Sequence, residues 1–316
     1  MLRTLLRLRP YFYGTFLAVI LTVNWSKEWN VEVRRLPPEI YERWIVRVNP
    51  KAPPAELLKL AEDGNSMAQY VYALRHTAYA PVDLQIKEDK DIAFKWTLKA
   101  AEGGHSRAMA VASLYYFRGD GTKKDFAKAK DWAEQSVKKG QSMGYRMLGD
   151  LAKKEAEDQK PAPEDARYKH KLGEYEKAMK EAYEHYKNGS ARGDRVALRM
   201  MSEGHEKGVP GMPRNYRLAQ EYLIRAAMLR DLTSIRRLAE RYETGERLDA
   251  DLTQAYVWRL VLVELERKPK DDEAITGLEK KMKSSEIRTA QAEAKKIHDK
   301  LPTEAADALT MLRASR

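Results

Sequence analysis

The chain contains no cysteine in its 316 residues. That absence excludes a disulfide framework, thiolate metal sites, a cysteine nucleophile and the lipidated cysteine of a bacterial lipoprotein. Histidine is scarce as well, six in all, and neither His170 nor His298 has a second histidine at metal-ligand spacing. Glu181 with His185, and Asp249 with Asp251, lack the further ligands a metal needs. Gly204, Gly208 and Gly211 are not followed by Gly-Lys-Ser or Gly-Lys-Thr, so they form no phosphate loop. An enzyme is not expected, and neither is a cofactor. A hydrolase would need acidic residues converging on a histidine such as His170.

Charge, by contrast, is abundant: 58 Lys and Arg against 47 Asp and Glu give a formal net charge of +11. Most of it is interspersed. Lys281, Lys283, Lys295 and Lys296 alternate with Glu279, Glu286, Glu293 and Asp299, as on a solvated helical surface. No compact basic stripe with interleaved aromatics is present, so nucleic acid is not an expected partner. A hydrophobic content of 43% suits a packed core.

Long apolar runs are missing except at the start. Arg3, Arg7 and Arg9 precede an apolar stretch at residues 11–25, shorter than the ~20 residues of a usual membrane span. Leu5, Leu6 and Leu8 extend it while the arginines snorkel, and Tyr11, Tyr13 and Trp25 stand where interfacial aromatics belong. The stretch ends Val23-Asn24-Trp25-Ser26, without the small residues of a cleavage site. It reads as a retained anchor within residues 1–30, with a cytoplasmic N-terminus and the remainder in the periplasm, a single pass through a bacterial inner membrane. Residues 31–55, with Pro37-Pro38 and Pro53-Pro54, read as a spacer.

The body of the chain is repetitive. Asp89, Ala93, Trp96 and Gly104 recur 36 positions later as Asp125, Ala129, Trp132 and Gly140. Asn215, Ala219 and Tyr222 recur at the same interval as Asp251, Ala255 and Trp258. A fixed period of this size marks a solenoid. Counting from Gly64, Gly104, Gly140, Gly193 and Arg230, the fourth position is always small: Ala68, Ala108, Gly144, Ala197 and Ser234. The eighth is Tyr72, Ala112, Leu148, Met201 and Leu238, and the twelfth His76, Tyr116, Ala152, His205 and Tyr242. Spacing of four puts all three on one helical face. Small residues admit close helix contact while the large ones fill the gap to the next hairpin. His76 and His205 hold the Tyr position, and His185 the Trp position, so these histidines read as core substitutes. Gly119, Gly208 and Gly245 fall where the first helix must end, and Asp125 and Asp251 where the second begins.

Small-x-x-x-Leu-Gly, Tyr-x-x-Gly-x-Gly, Asp-x-x-x-Ala and Trp-x-x-x-Ala-Ala segments together make the chain resemble the Sel1-like repeat family, related to tetratricopeptide repeats. The unit from Leu114 to Gly140 follows that pattern most closely. The resemblance implies an all-α, right-handed solenoid of helix-turn-helix repeats, here behind one N-terminal transmembrane helix. Five repeats are expected over 56–266, with an insertion near 153–174, and capping helices over 267–316 in which Ile287, Ala290 and Ala294 form an apolar stripe. It further implies a protein-interaction scaffold or adaptor of the envelope. A narrower alternative is an immunity protein neutralising a secreted phospholipase-type antibacterial effector, and another is a basic membrane-surface binder.

The sixth position of the first helices reads Tyr70, Ala110, Arg146, Arg199 and Arg236, with Arg107 and Arg237 close by. In a solenoid this ladder faces the concave groove. Guanidinium groups favour bidentate anion contacts, so the expected partner is a protein with an acidic surface.

Overall fold

The computed structural model describes residues 48, 51–78, 84–165, 167–246, 249–266 and 273–302. The chain divides into residues 1–49 and a compact unit of residues 50–316. The anchor expected at residues 11–25 and most of the spacer lie outside the described residues. Among the described residues no helix is long and apolar enough to cross a membrane.

The described residues form thirteen helices and no strand. They are α1 (Pro54–Glu62), α2 (Ser66–Arg75), α3 (Lys90–Glu102), α4 (Ser106–Arg118), α5 (Phe126–Lys138), α6 (Ser142–Asp158) and α7 (Tyr168–Ala191), followed by α8 (Arg195–Lys207), α9 (Tyr216–Met228), α10 (Leu232–Thr244), α11 (Leu252–Glu266), α12 (Glu273–Glu279) and α13 (Ser284–Lys300). Even-numbered helices from α2 to α10 are the first helices of successive hairpins and α3 to α11 the second. Helix α1 begins at Pro54, within the stretch 31–55 that reads as a spacer, because Pro53-Pro54 opens the helix. Proline is suited to the first helical turn, where its fixed φ is helical and its missing N–H costs nothing.

Local chemistry dictates each hairpin. The turn between units needs a left-handed residue, and Gly64, Gly104, Gly140 and Gly193 supply it at φ between 77° and 90°. Arg230 takes the same role at φ 63°, the only non-glycine with positive φ among the described residues. Gly119, Gly208 and Gly245 are left-handed C-caps of α4, α8 and α10. Asp89, Asp125, Asn215 and Asp251 cap the second helices through side-chain oxygens 2.9 to 3.0 Å from the N–H three residues on. The same residues donate their own N–H to the twelfth-position carbonyls of His76, Tyr116, His205 and Tyr242, which closes each hairpin.

The interior is a series of local cores rather than one. Tyr70, Ala100, Ala108 and Ala112 form the first, Ala110, Ala133 and Met147 the next, and Met179, Tyr183, Tyr186 and Met201 a third. The last gathers Leu223, Ile235, Leu238, Tyr256 and Trp258, and the stripe Ile287, Ala290 and Ala294 of α13 packs on it. This is the arrangement of a solenoid, where each unit touches chiefly its neighbours. The small fourth position explains the close contacts: a Cβ on Gly144 would lie 2.9 Å from Ser136 Cβ and from the Val137 nitrogen of α5. The region of the expected insertion is built mainly as longer helices. α6 has 17 residues and α7 has 24, where α4 and α5 have 13 each. No glycine follows α6 at the capping position, so the helix runs on to Asp158.

Candidate functional site

A groove of about 790 Å³ is walled by α2, the start of α3, α4, α6 and the start of α8, with Pro302 after α13 at its edge. Leu74, Val111, Leu114, Met143 and Val196 give it an apolar floor. Six cations line it, Lys90, Arg107, Arg118, Arg146, Arg192 and Arg195, against three carboxylates, Glu88, Asp120 and Asp194. The groove is therefore both apolar and basic, which suits a protein segment carrying apolar and acidic side chains.

The structure brings only part of the expected ladder to this groove. Tyr70, Arg107 and Arg146 line it; Arg199, Arg236 and Arg237 do not. Nor is the ladder a row of free guanidinium groups. Arg146 is 8% exposed, 2.8 Å from Asp150 on its own helix and 3.6 Å from Asp194, the N-cap of α8. Arg199 repeats the geometry, 3.4 Å from Glu203 and 3.4 Å from Asp231, the N-cap of α10. Arg236 reaches Glu266 at 2.5 Å, and Arg237 shares the buried Glu206 with Arg241. At Arg146 and Arg199 the ladder residue of one unit thus holds the cap of the next. The spacing of the column does not show which carboxylates fold against it.

The first joint uses neutral groups in the same places. Tyr70, 1% exposed, stacks on His105 with ring centroids 4.6 Å apart. His105 is the N-cap of α4, and its Nδ1 accepts from the Ala108 N–H at 3.1 Å. Burial, with the Arg107 charge second, drives the His105 imidazole down to about 3. Burial also raises the Tyr70 hydroxyl, against the pull of the neighbouring Arg107 charge.

Ionisation elsewhere follows the same logic. Burial pushes Asp150 up against the pull of Arg146, and Tyr186, which donates to Asp150 at 2.8 Å, is also raised by burial. For Arg146 burial works the other way, but attraction to Asp194 and Asp150 outweighs it and raises the guanidinium.

The remaining histidines do structural work or lie on the surface. His76 Nδ1 donates to the Lys87 carbonyl at 2.9 Å, and His205 stacks on Tyr222. His170 and Glu174 are exposed and 3.6 Å apart on α7, with no acidic cluster converging on them among their ion pairs. Among the described residues no group of His, Asp and Glu is arranged to hold a metal.

Stacked helix hairpins with a left-handed turn residue between units define an α-helical repeat protein. The chain carries four Sel1 repeats, matching that family over residues 66–105, 106–141, 195–231 and 233–258. The stretch between the second and third matches holds the long helices α6 and α7. No curated protein matches the chain. Among solved structures it is similar to the protective antigen c5321 of uropathogenic Escherichia coli, at 18% identity and TM-score 0.35, covering 82% of this chain. It spans 66% of that chain, just under two thirds. A Sel1 repeat protein from Oxalobacter formigenes is 18% identical at TM-score 0.46, covering 77% of this chain and 99% of that one. One from Klebsiella pneumoniae subsp. pneumoniae is 19% identical at TM-score 0.41, covering 72% and 100%. Sel1 repeat proteins generally mediate protein–protein interaction and are typically non-catalytic scaffolds.

Proposed function

We propose that this chain is a non-enzymatic interaction scaffold that holds a partner protein in its concave groove. The observation that carries this reading is the 790 Å³ groove, with its apolar floor and a majority of cations along its walls. The N-terminal pattern supports a membrane-tethered adaptor of the bacterial envelope, with Arg3, Arg7 and Arg9 before the apolar residues 11–25 and the repeats on the periplasmic side. In the narrower immunity form of this role, the partner is a phospholipase-type enzyme that loses activity when bound.

Photo-crosslinking in the full chain tests the groove. Benzoylphenylalanine replaces Leu114 in the groove or Glu134 on the second helix α5, an exposed position. The expected result is a discrete protein adduct from position 114 and none from position 134. Equal adducts from both positions, or an adduct from 134 alone, would contradict the reading.

A further inference from the structure

Ladder residue and cap pair by charge at some joints of the solenoid and not at the first. At the two later joints the ladder residue is an arginine and the cap it meets is a carboxylate: Arg146 with Asp194, Arg199 with Asp231. At the first joint the ladder residue is Tyr70 and the cap is His105, both neutral when buried. Arg107 is the cation that stands at this joint. It lies half-buried in the groove wall and makes no ion pair with a carboxylate among the described residues. It stands beside the Tyr70 hydroxyl, and its Nε is buried without a hydrogen-bond partner. Of the three groove carboxylates, Asp120 is paired with Lys90 and Asp194 with Arg146, while Glu88 is exposed. A half-buried guanidinium with no counterion favours an incoming anion. Leu74, Val111 and Leu114 form an apolar floor in the same groove.

We infer that Arg107 is the anchor of the groove, and that the partner segment seats a carboxylate on its guanidinium and an apolar side chain on Leu74, Val111 and Leu114. This rests on the reading of the groove as a protein-binding surface and narrows it to an acidic, aliphatic segment. Charge complementarity favours that occupant: the walls carry six cations against three acids, and the floor beneath them is apolar.

The full chain is used to select from a displayed library of random dodecapeptides, and the strongest binder is synthesised with a fluorophore. The expected binder carries Asp or Glu within two positions of Leu, Ile, Met or Phe and blocks crosslinking from position 114. Arg107→Gln should weaken it at least about tenfold, and changing the peptide's acid to its amide should cost the same factor, with no further loss when both are combined. Arg107→Gln should melt with the parent, which separates lost binding from lost folding. Binders that block position 114 but lack an acid, or ignore Arg107→Gln, overturn the anchor and leave the groove reading intact. Self-association that blocks position 114 assigns the groove to a second copy and overturns the anchor too. If no binder reaches position 114, both readings fall.

Discussion

Arg146→Glu is expected to lower the unfolding free energy by about 3 kcal/mol or more, the scale for breaking a buried ion pair from one side. The replaced guanidinium is one of the least exposed cations of the array, with Asp150 at 2.8 Å and Asp194 at 3.6 Å. A carboxylate there would face both acids at once, and Asp150 is already held above its usual range by burial. The damage would fall on the joint between α6 and α8, where the family match is interrupted. Because solenoid units depend on their neighbours, urea unfolding should split into two transitions as well as shift to lower denaturant. Arg107→Gln serves as the contrast: it removes a cation without an ionic partner and should change stability by no more than about 0.5 kcal/mol. A parent-like midpoint for Arg146→Glu would show that the pair with Asp194 contributes nothing. The same contrast explains why charge reversal of Arg146 is a poor probe of binding.

The second large effect is acid destabilisation through His105. In the unfolded chain this imidazole takes up a proton near its ordinary value of about 6.5, whereas in the folded chain it stays neutral down to about 3. Between those values the unfolded state binds the proton and the folded state does not. The contribution is therefore fully present above pH 6.5 and is lost as pH falls. Each pH unit removes about 1.4 kcal/mol, so acidification from pH 7 to 5 should cost about 2 kcal/mol from this residue. Asparagine does the same capping in the first unit, where Asn65 accepts from the Ala68 N–H at 2.8 Å. His105→Asn should keep the cap and lose the pH dependence. His185, lowered by burial, acts in the same direction in both proteins, and Asp150, raised, acts in the opposite one. The difference between parent and variant midpoints across pH isolates His105. Parallel curves would contradict the assignment of a buried neutral cap.

The repeat itself was legible in the sequence because its determinants are local. Small residues at the fourth position, turn glycines and the caps Asp125 and Asp251 each act within a few residues of chain. Arg230 could be aligned with those glycines by register alone, although its residue type hides the left-handed turn. The groove was legible only in part. Whether a ladder arginine is free depends on the cap of the next unit, and for Arg146 that cap lies beyond the whole of α7. Arg118, Arg192 and Arg195 join the groove because the path of the helices turns their ends toward it, which no spacing rule encodes. The role of His105 had a signal that was readable: it shares a column with Asn65, Asp194 and Asp231, all capping residues.

Hydrogen–deuterium exchange of the full chain, with and without the partner captured at position 114, tests most directly the claim that the first helices form the working surface. Protection should concentrate in α2, the start of α3, α4 and the first turns of α6, residues 66–75, 90–97, 106–118 and 142–146, and leave α5 and α9 unchanged. Protection confined to α5 and α9 would place the partner away from the groove and contradict the account.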